Sequence, residues 1–145
     1  MIIAIRISGL VEIPQKVNES LFRIRLRRKY SAVLLLPIAE NLSILKKLRN
    51  TIAYGKINDS TLSALLEKRA QLIDKKKKID FKAVANEILN QEKKGKLDLQ
   101  SLGIKPFFRL HPPRKGIETK IHFPIRKGVL GDNKEKINDL VRGML

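Results

Sequence analysis

The stretch Ala32-Val33-Leu34-Leu35-Leu36 has no polar interruption and is closed by Pro37. A short apolar run bounded by proline reads as a central strand, covered on both faces or along one. It is entered directly from Arg23-Ile24-Arg25-Leu26-Arg27-Arg28-Lys29-Tyr30, where five cationic side chains crowd together. The fold must therefore bury a strand and hold a dense positive charge beside its first residue.

The neighbouring pattern supplies the rest of a small core. Ile2, Ile3, Ile5 and Ile7, ending at Ser8-Gly9, predict a first strand. Val17, Leu21 and Ile24 recur at helical spacing and predict a helix from Pro14 to about Arg27, with Arg23 and Arg27 sharing an outer face. Arg25, Arg28 and Lys29 would then sit in its last turn, where cations suit the negative helix end. Asn41 or Ser43 can cap a second helix with Ile44, Leu45 and Leu48 inward and Lys46, Lys47 and Arg49 outward. Ile52 to Ile57 predicts a third strand, and Asn58-Asp59 a cap for a helix using Leu62, Leu65, Leu66 and Ile73. The order is β-α-β-α-β-α.

Beyond it, Lys75 to Lys78 breaks the periodicity and reads as a solvated linker or an arm that orders on RNA. Asp80 caps a further helix carrying Phe81, Val84, Ala85, Ile88 and Leu89, which Gly95 ends. From Pro106 to Gly131 the prolines and glycines predict a long irregular region, with room for a short strand at Phe107 to Leu110 or at Ile117 to Phe123. A short amphipathic helix from about Asn133 turns Ile137, Leu140 and Val141 inward.

Charge then narrows the partner. The 145 residues hold 31 Lys+Arg against 14 Asp+Glu, a formal net charge of +17, and the excess is spread over residues 1–60, 61–100 and 101–145 rather than confined to a tail. A polyanion is the natural counterpart. The absence of Trp from the basic helices favours polynucleotide phosphate over a membrane surface. With no cysteine and only His111 and His122, thiolate or imidazole-rich metal centres and disulfides find no ligands. The first residues are too soon interrupted by Arg6 for a signal peptide, and no apolar run approaches spanning length, so an intracellular, cytoplasmic protein is expected.

Catalytic patterns are missing. No glycine-spaced phosphate loop occurs, and neither histidine lies near a recognisable nucleophile elbow. The carboxylate pairs Asp132 with Glu135 and Asp74 with Asp80 sit at helix starts or in a charge run, where capping and solvation account for them. No cofactor or small-molecule substrate is implied. The arginines are another matter: Arg23, Arg25, Arg27 and Arg28 offer planar forks matched to phosphate oxygens, with few acids nearby. Tyr30, Tyr54, Phe107 and Phe108 are candidates for stacking on bases, though beside apolar strands such rings more often belong to the core. His111, in a proline-fixed basic loop, is either a satisfied loop histidine or an RNA contact.

Four stretches carry a resemblance: "RIRLRRKYSAVLL" from Arg23, "LRNTIAYGKI" from Leu48, "LSALLEKRAQL" from Leu62 and "PFFRLHPPRKG" from Pro106, with "INDLVRGML" at the end. In this order they resemble the large-subunit ribosomal proteins of the L-thirty family, in the longer archaeal and eukaryotic form and most like the archaeal one. Lys115-Gly116-Ile117 departs from the glycine pair and aromatic usual after "LHPPR", and Val129 to Asn133 lacks an aromatic and arginine often found there.

The resemblance implies an α+β fold: a ferredoxin-like β-α-β-α-β core over residues 1–60, and an extension over 61–145 of two helices, a basic Pro/Gly-rich loop region and a C-terminal helix. It implies a non-enzymatic ribosomal constituent in the cytoplasm, binding large-subunit rRNA, with the small rRNA of the same subunit and neighbouring ribosomal proteins as further partners. The expected RNA-binding residues are Arg23, Arg25, Arg27, Arg28 and Lys29; Lys46, Lys47 and Arg49; Tyr54; and Arg109, His111, Arg114, Lys115, Arg126 and Lys127. A free-standing RNA-processing or RNA-modifying enzyme using the same surface is the alternative, and a DNA-architectural protein a third reading.

Overall fold

The computed structural model describes residues 1–73, 80–122 and 128–145. The Lys75 to Lys78 run, Asp74, Phe123, Arg126 and Lys127 lie outside the described residues.

The element order begins β1 (Ile2–Arg6), α1 (Gln15–Arg23), β2 (Ser31–Leu35), α2 (Ala39–Lys47) and β3 (Ile52–Lys56). It continues with α3 (Asp59–Arg69), α4 (Phe81–Lys93), β4 (Phe108–Arg109), β5 (Glu118–His122), β6 (Gly128–Asp132) and α5 (Ile137–Met144). The fold is α+β and ferredoxin-like, as expected. Strand β1 lies between β2 and β3, antiparallel to both, with Ile3 opposite Leu34 and Gly55. Later strands extend the sheet at each side to the order β4-β2-β1-β3-β6-β5.

Strand alternation sends side chains to two separate cores. Ile2, Ala4, Val33, Ile52 and Tyr54 meet Leu21 and Leu26, from α1 and the turn after it, and Leu45 and Leu48, from α2 and its end. Ile3, Ile5, Ala32, Leu34 and Ala53 meet Leu62, Leu65 and Leu66 of α3, Val84 and Ile88 of α4, and Ile137, Val141 and Met144 of α5. The uninterrupted apolar run Ala32 to Leu36 is thus explained: β2 is covered on both faces.

Several boundaries differ from the sequence expectation. Helix α1 stops at Arg23, four residues early, so Arg27 shares no helical face with Arg23. The cause is Arg25, whose φ of 67° turns the chain left-handed. The Leu26 N–H then donates back to Leu21 O at 2.8 Å and the Arg25 N–H to Phe22 O at 3.0 Å, the Schellman pattern, with the buried Leu21 and Leu26 as its apolar contact. Helix α2 starts at Ala39 after Ile38, not at Asn41 or Ser43; the Asn41 amide instead donates to Leu36 O at 3.0 Å and ties the helix to the end of β2. Ile73 falls beyond α3 and is exposed. Asp80 does cap α4, accepting from the Lys82 N–H at 3.0 Å.

Strand β6 is the main addition. Gly128 and Gly131 read as breakers, yet they sit in a strand that pairs parallel to β3, Gly131 opposite Ala53. Each glycine has its own cause: a Cβ on Gly128 would lie 2.4 Å from the Ile121 carbonyl oxygen, whereas Gly131 takes a left-handed φ of 89°. A 3-10 turn, Lys134–Lys136, then leads into α5, which the buried Asn138 locks in place: its Oδ1 accepts from the Asn58 N–H, and its Nδ2 donates to Lys56 O and Glu135 O.

Candidate nucleic-acid interface

The sheet gathers the basic segments at one end. That end holds the C-terminus of β1, the N-termini of β2 and β3, and, because β4 runs antiparallel to β2 with Ser31 opposite Arg109, the C-terminus of β4. From it emerge the α1–β2 turn with Arg25, Arg27, Arg28 and Lys29, the α2–β3 turn with Arg49, and the loop after Leu110 with His111, Arg114 and Lys115. Arg23 closes α1, and Lys46 and Lys47 close α2, so three cations flank two negative helix ends. All of these charged or histidine side chains are exposed.

What holds the arginine turn to the sheet is a residue the sequence reading passed over. Arg6, at the end of β1, is fully buried and, among the described residues, has no carboxylate partner. Its Nη1 donates to Leu26 O at 2.9 Å and, more weakly, to Arg27 O at 3.4 Å; its Nη2 donates to Gly9 O at 2.7 Å and Asn18 Oδ1 at 3.3 Å; its Nε donates to Ser8 O at 3.1 Å. One planar fork thereby fastens the strand end, α1 and the arginine turn. Burial lowers its pKa, since desolvation disfavours the charge. The same strand end binds the second turn, because Thr51 O accepts from the N–H groups of Ile7 and Ser8. The sequence signal was strand parity: Ile2, Ala4 and Arg6 share one face, so Arg6 had to point inward.

The arginine turn and β4 line a cleft of about 780 Å³ that brings together Arg25, Arg27, Arg28, Lys29 and Arg109. Lys105, also missed although it stands directly before "PFFRL", lines the same cleft. The cations lean on rings: Arg109 lies 5.8 Å from the Phe107 centroid, Lys29 5.0 Å from Tyr30 and Arg27 5.9 Å from Phe22. Phe107 and Tyr30 line the cleft and are half-buried, whereas Phe108 is wholly in the core. The His111–Lys115 loop is pinned at its root: Leu110 N–H donates to Tyr30 O, His111 N–H to Met144 O and Arg114 N–H to Gly143 O. The end of α5 thus sets where this loop stands.

Tyr54 does not join the group. It is 7 % exposed, packs with Ala4 and Leu45, and borders a different cleft, with Met1, Pro37 and Leu42. Burial raises its phenol pKa, the Asp132 carboxylate raises it further and Arg49 opposes both. A ring so placed is part of the core rather than a stacking platform.

A ferredoxin-like sheet with its cationic turns fastened to one end defines a basic, polyanion-facing α+β protein. The comparisons with known proteins give the family. No family model matches the chain. The chain is 34% identical to large ribosomal subunit protein uL30 of Archaeoglobus fulgidus over 99% of each chain. It is 35% identical to that of Nanoarchaeum equitans, over 94% of this chain and 93% of the relative, and 34% identical to that of Aeropyrum pernix, over 97% and 96%. The chain belongs to the uL30 family of large ribosomal subunit proteins.

Proposed function

We propose that this chain is a structural constituent of the large ribosomal subunit that binds and stabilises folded rRNA. The observation that carries the reading, beside family membership, is the convergence of the turns at Arg25–Lys29, Lys46–Arg49 and Arg109–Lys115 on one end of one sheet. Guanidinium groups carried on turns that are fastened to the sheet neutralise phosphate where RNA strands pack closely. Shape and 2′-hydroxyl recognition dominate over base reading, because side chains cannot enter the deep, narrow major groove of A-form RNA.

Arg23, Arg25, Arg27, Arg28, Lys29, Lys46, Lys47, Arg49, Arg109, His111, Arg114 and Lys115 are the contacts in this reading, with Arg126 and Lys127 as further candidates. Residues 1–60 form its RNA-binding core and 61–145 its extension. The partners are large-subunit rRNA, the small rRNA of the same subunit and adjacent ribosomal proteins, in the cytoplasm. The role is non-enzymatic; a free-standing RNA-processing or RNA-modifying enzyme gains no support from relatives named as ribosomal proteins.

Sedimentation of a lysate on a sucrose gradient, at low salt and after a high-salt wash, tests it. A protein held by about six phosphate contacts alone loses about a thousandfold in affinity as salt rises through the moderate range. Co-migration with the large subunit after the wash is expected of a protein embedded in folded rRNA. Protein at the top of the gradient in both salts would overturn the reading.

A further inference from the structure

The turn between α1 and β2 contains two residues in the left-handed region that glycine favours, Arg25 at φ 67° and Tyr30 at φ 61°. Tyr30 is third in a hydrogen-bonded turn, Arg28 to Ser31, in which the Ser31 N–H and the Ser31 hydroxyl both donate to Arg28 O. Between these two residues the backbone is committed on one side only. Arg6 draws in the carbonyls of Leu26 and Arg27, and Ser31 draws in that of Arg28.

A trans peptide points its N–H opposite to its C=O. The N–H groups of Arg27, Arg28 and Lys29 therefore face away from Arg6 and away from the inside of the turn. Among the described residues none of the three finds an acceptor. Consecutive outward main-chain donors beside exposed guanidinium groups make an anion-binding surface. We infer that the main-chain N–H groups of Arg27, Arg28 and Lys29 form a site for phosphodiester oxygens of an RNA backbone, with the buried Arg6 as the residue that positions them.

This rests on the RNA-binding reading above and deepens it: the cations attract phosphate, and the amides fix where it sits. It also accounts for a buried arginine whose partners are main-chain carbonyls and one amide oxygen. A carboxylate partner would occupy the guanidinium, whereas carbonyl partners let it orient the peptide units that face the ligand.

The test separates an N–H from a side chain at one position. Lys29 is second in the Arg28–Ser31 turn, a position that accepts proline, and its N–H has no partner to lose. Lys29→Ala and Lys29→Pro both remove the ammonium; only Lys29→Pro removes the N–H. Binding of the full-length variants to cognate large-subunit rRNA is measured by filter retention, with thermal midpoints alongside. Lys29→Pro is expected to bind about tenfold more weakly than Lys29→Ala, the loss of one charge-assisted hydrogen bond, at an equal or higher thermal midpoint.

Equal affinities for the two variants, with the wild type binding tightly, would overturn the inference and leave the RNA-binding reading intact. Failure of the wild type to retain rRNA would overturn both. If Lys29→Pro does not fold, the ¹⁵N-labelled wild type titrated with a twelve-base-pair RNA duplex decides. Downfield movement of the Arg27, Arg28 and Lys29 amide protons supports the site, and their standing still while the Arg49 or His111 amides move refutes it.

Discussion

Arg6 Nη1 donates to the carbonyl of Leu26 at 2.9 Å, and through that bond a side chain with no exposed surface governs a turn that carries four exposed cations. Removing it strands the carbonyls of Ser8, Gly9 and Leu26 together with the Asn18 amide oxygen. The Leu26 carbonyl is buried, where an acceptor without a donor costs about 1–3 kcal/mol; the other three are part-buried, so water reaches them and each adds less. Arg6→Met is therefore expected to lower stability by about 2–4 kcal/mol. Urea denaturation measures it; a loss under 1 kcal/mol would show that the fork is not holding the turn.

Arg25 offers the opposite trade. It occupies the left-handed residue that ends α1, where an L side chain costs about 1 kcal/mol and glycine nothing. Arg25→Gly should raise stability by up to about 1 kcal/mol while weakening rRNA binding and lowering the salt slope by about one counterion. A variant that is more stable and binds as well as wild type would mean that this arginine faces solvent only. Thermal melts and binding at three salt concentrations give both readings.

The same two arginines show what could be read in the sequence and what could not. Periodicity carried β1 to β3, α3 and α4, because burial on two faces forces Ile3, Ile5, Leu62 and Leu66 into regular spacing. The end of α1 was hidden because Arg25 stands where glycine usually marks such a stop. Strand β6 was hidden for the converse reason: Gly128 and Gly131 look like punctuation, yet the first answers close backbone approach and the second a left-handed φ within a strand, neither of which spacing encodes. The basic cluster was legible as composition, and its cleft was not, since Lys105 and Arg109 reach Arg25 only through the pairing of β4 with β2. Tyr54 was misplaced because an aromatic in a strand has two faces to choose from, and α2 covers the one it takes.

Gly55 is the point where the extension presses on the three-stranded core. A Cβ there would lie 2.2 Å from the Lys134 carbonyl oxygen and 3.0 Å from Ile137 Cβ, and the first of these is backbone that cannot swing aside. Gly55→Ala should push the 3-10 turn and α5 off β3, at a cost of about 2–3 kcal/mol. Because the end of α5 also accepts from the His111 and Arg114 N–H groups, the basic loop should loosen with it. Amide exchange at His111 and Arg114 checks the link: protection unchanged in the variant would show that the loop stands independently of α5.

Tyr54 makes stability depend on alkaline pH. Its phenol titrates above the ordinary value of 10.0, first because it is buried and then because Asp132 is near, so the folded state holds the proton more tightly than the unfolded chain. A group with a raised folded pKa contributes its full stability below pH 10, and that contribution is lost as pH rises from there through the folded value. Tyr54→Phe cannot ionise. The stability difference between wild type and Tyr54→Phe should stay constant from pH 7 to about 9.5 and then move in favour of the variant by about 1.4 kcal/mol per unit of pH, until the folded phenol itself ionises. Urea midpoints of both proteins between pH 8 and 11.5 measure this, and parallel curves across that range would show that the ring is solvated.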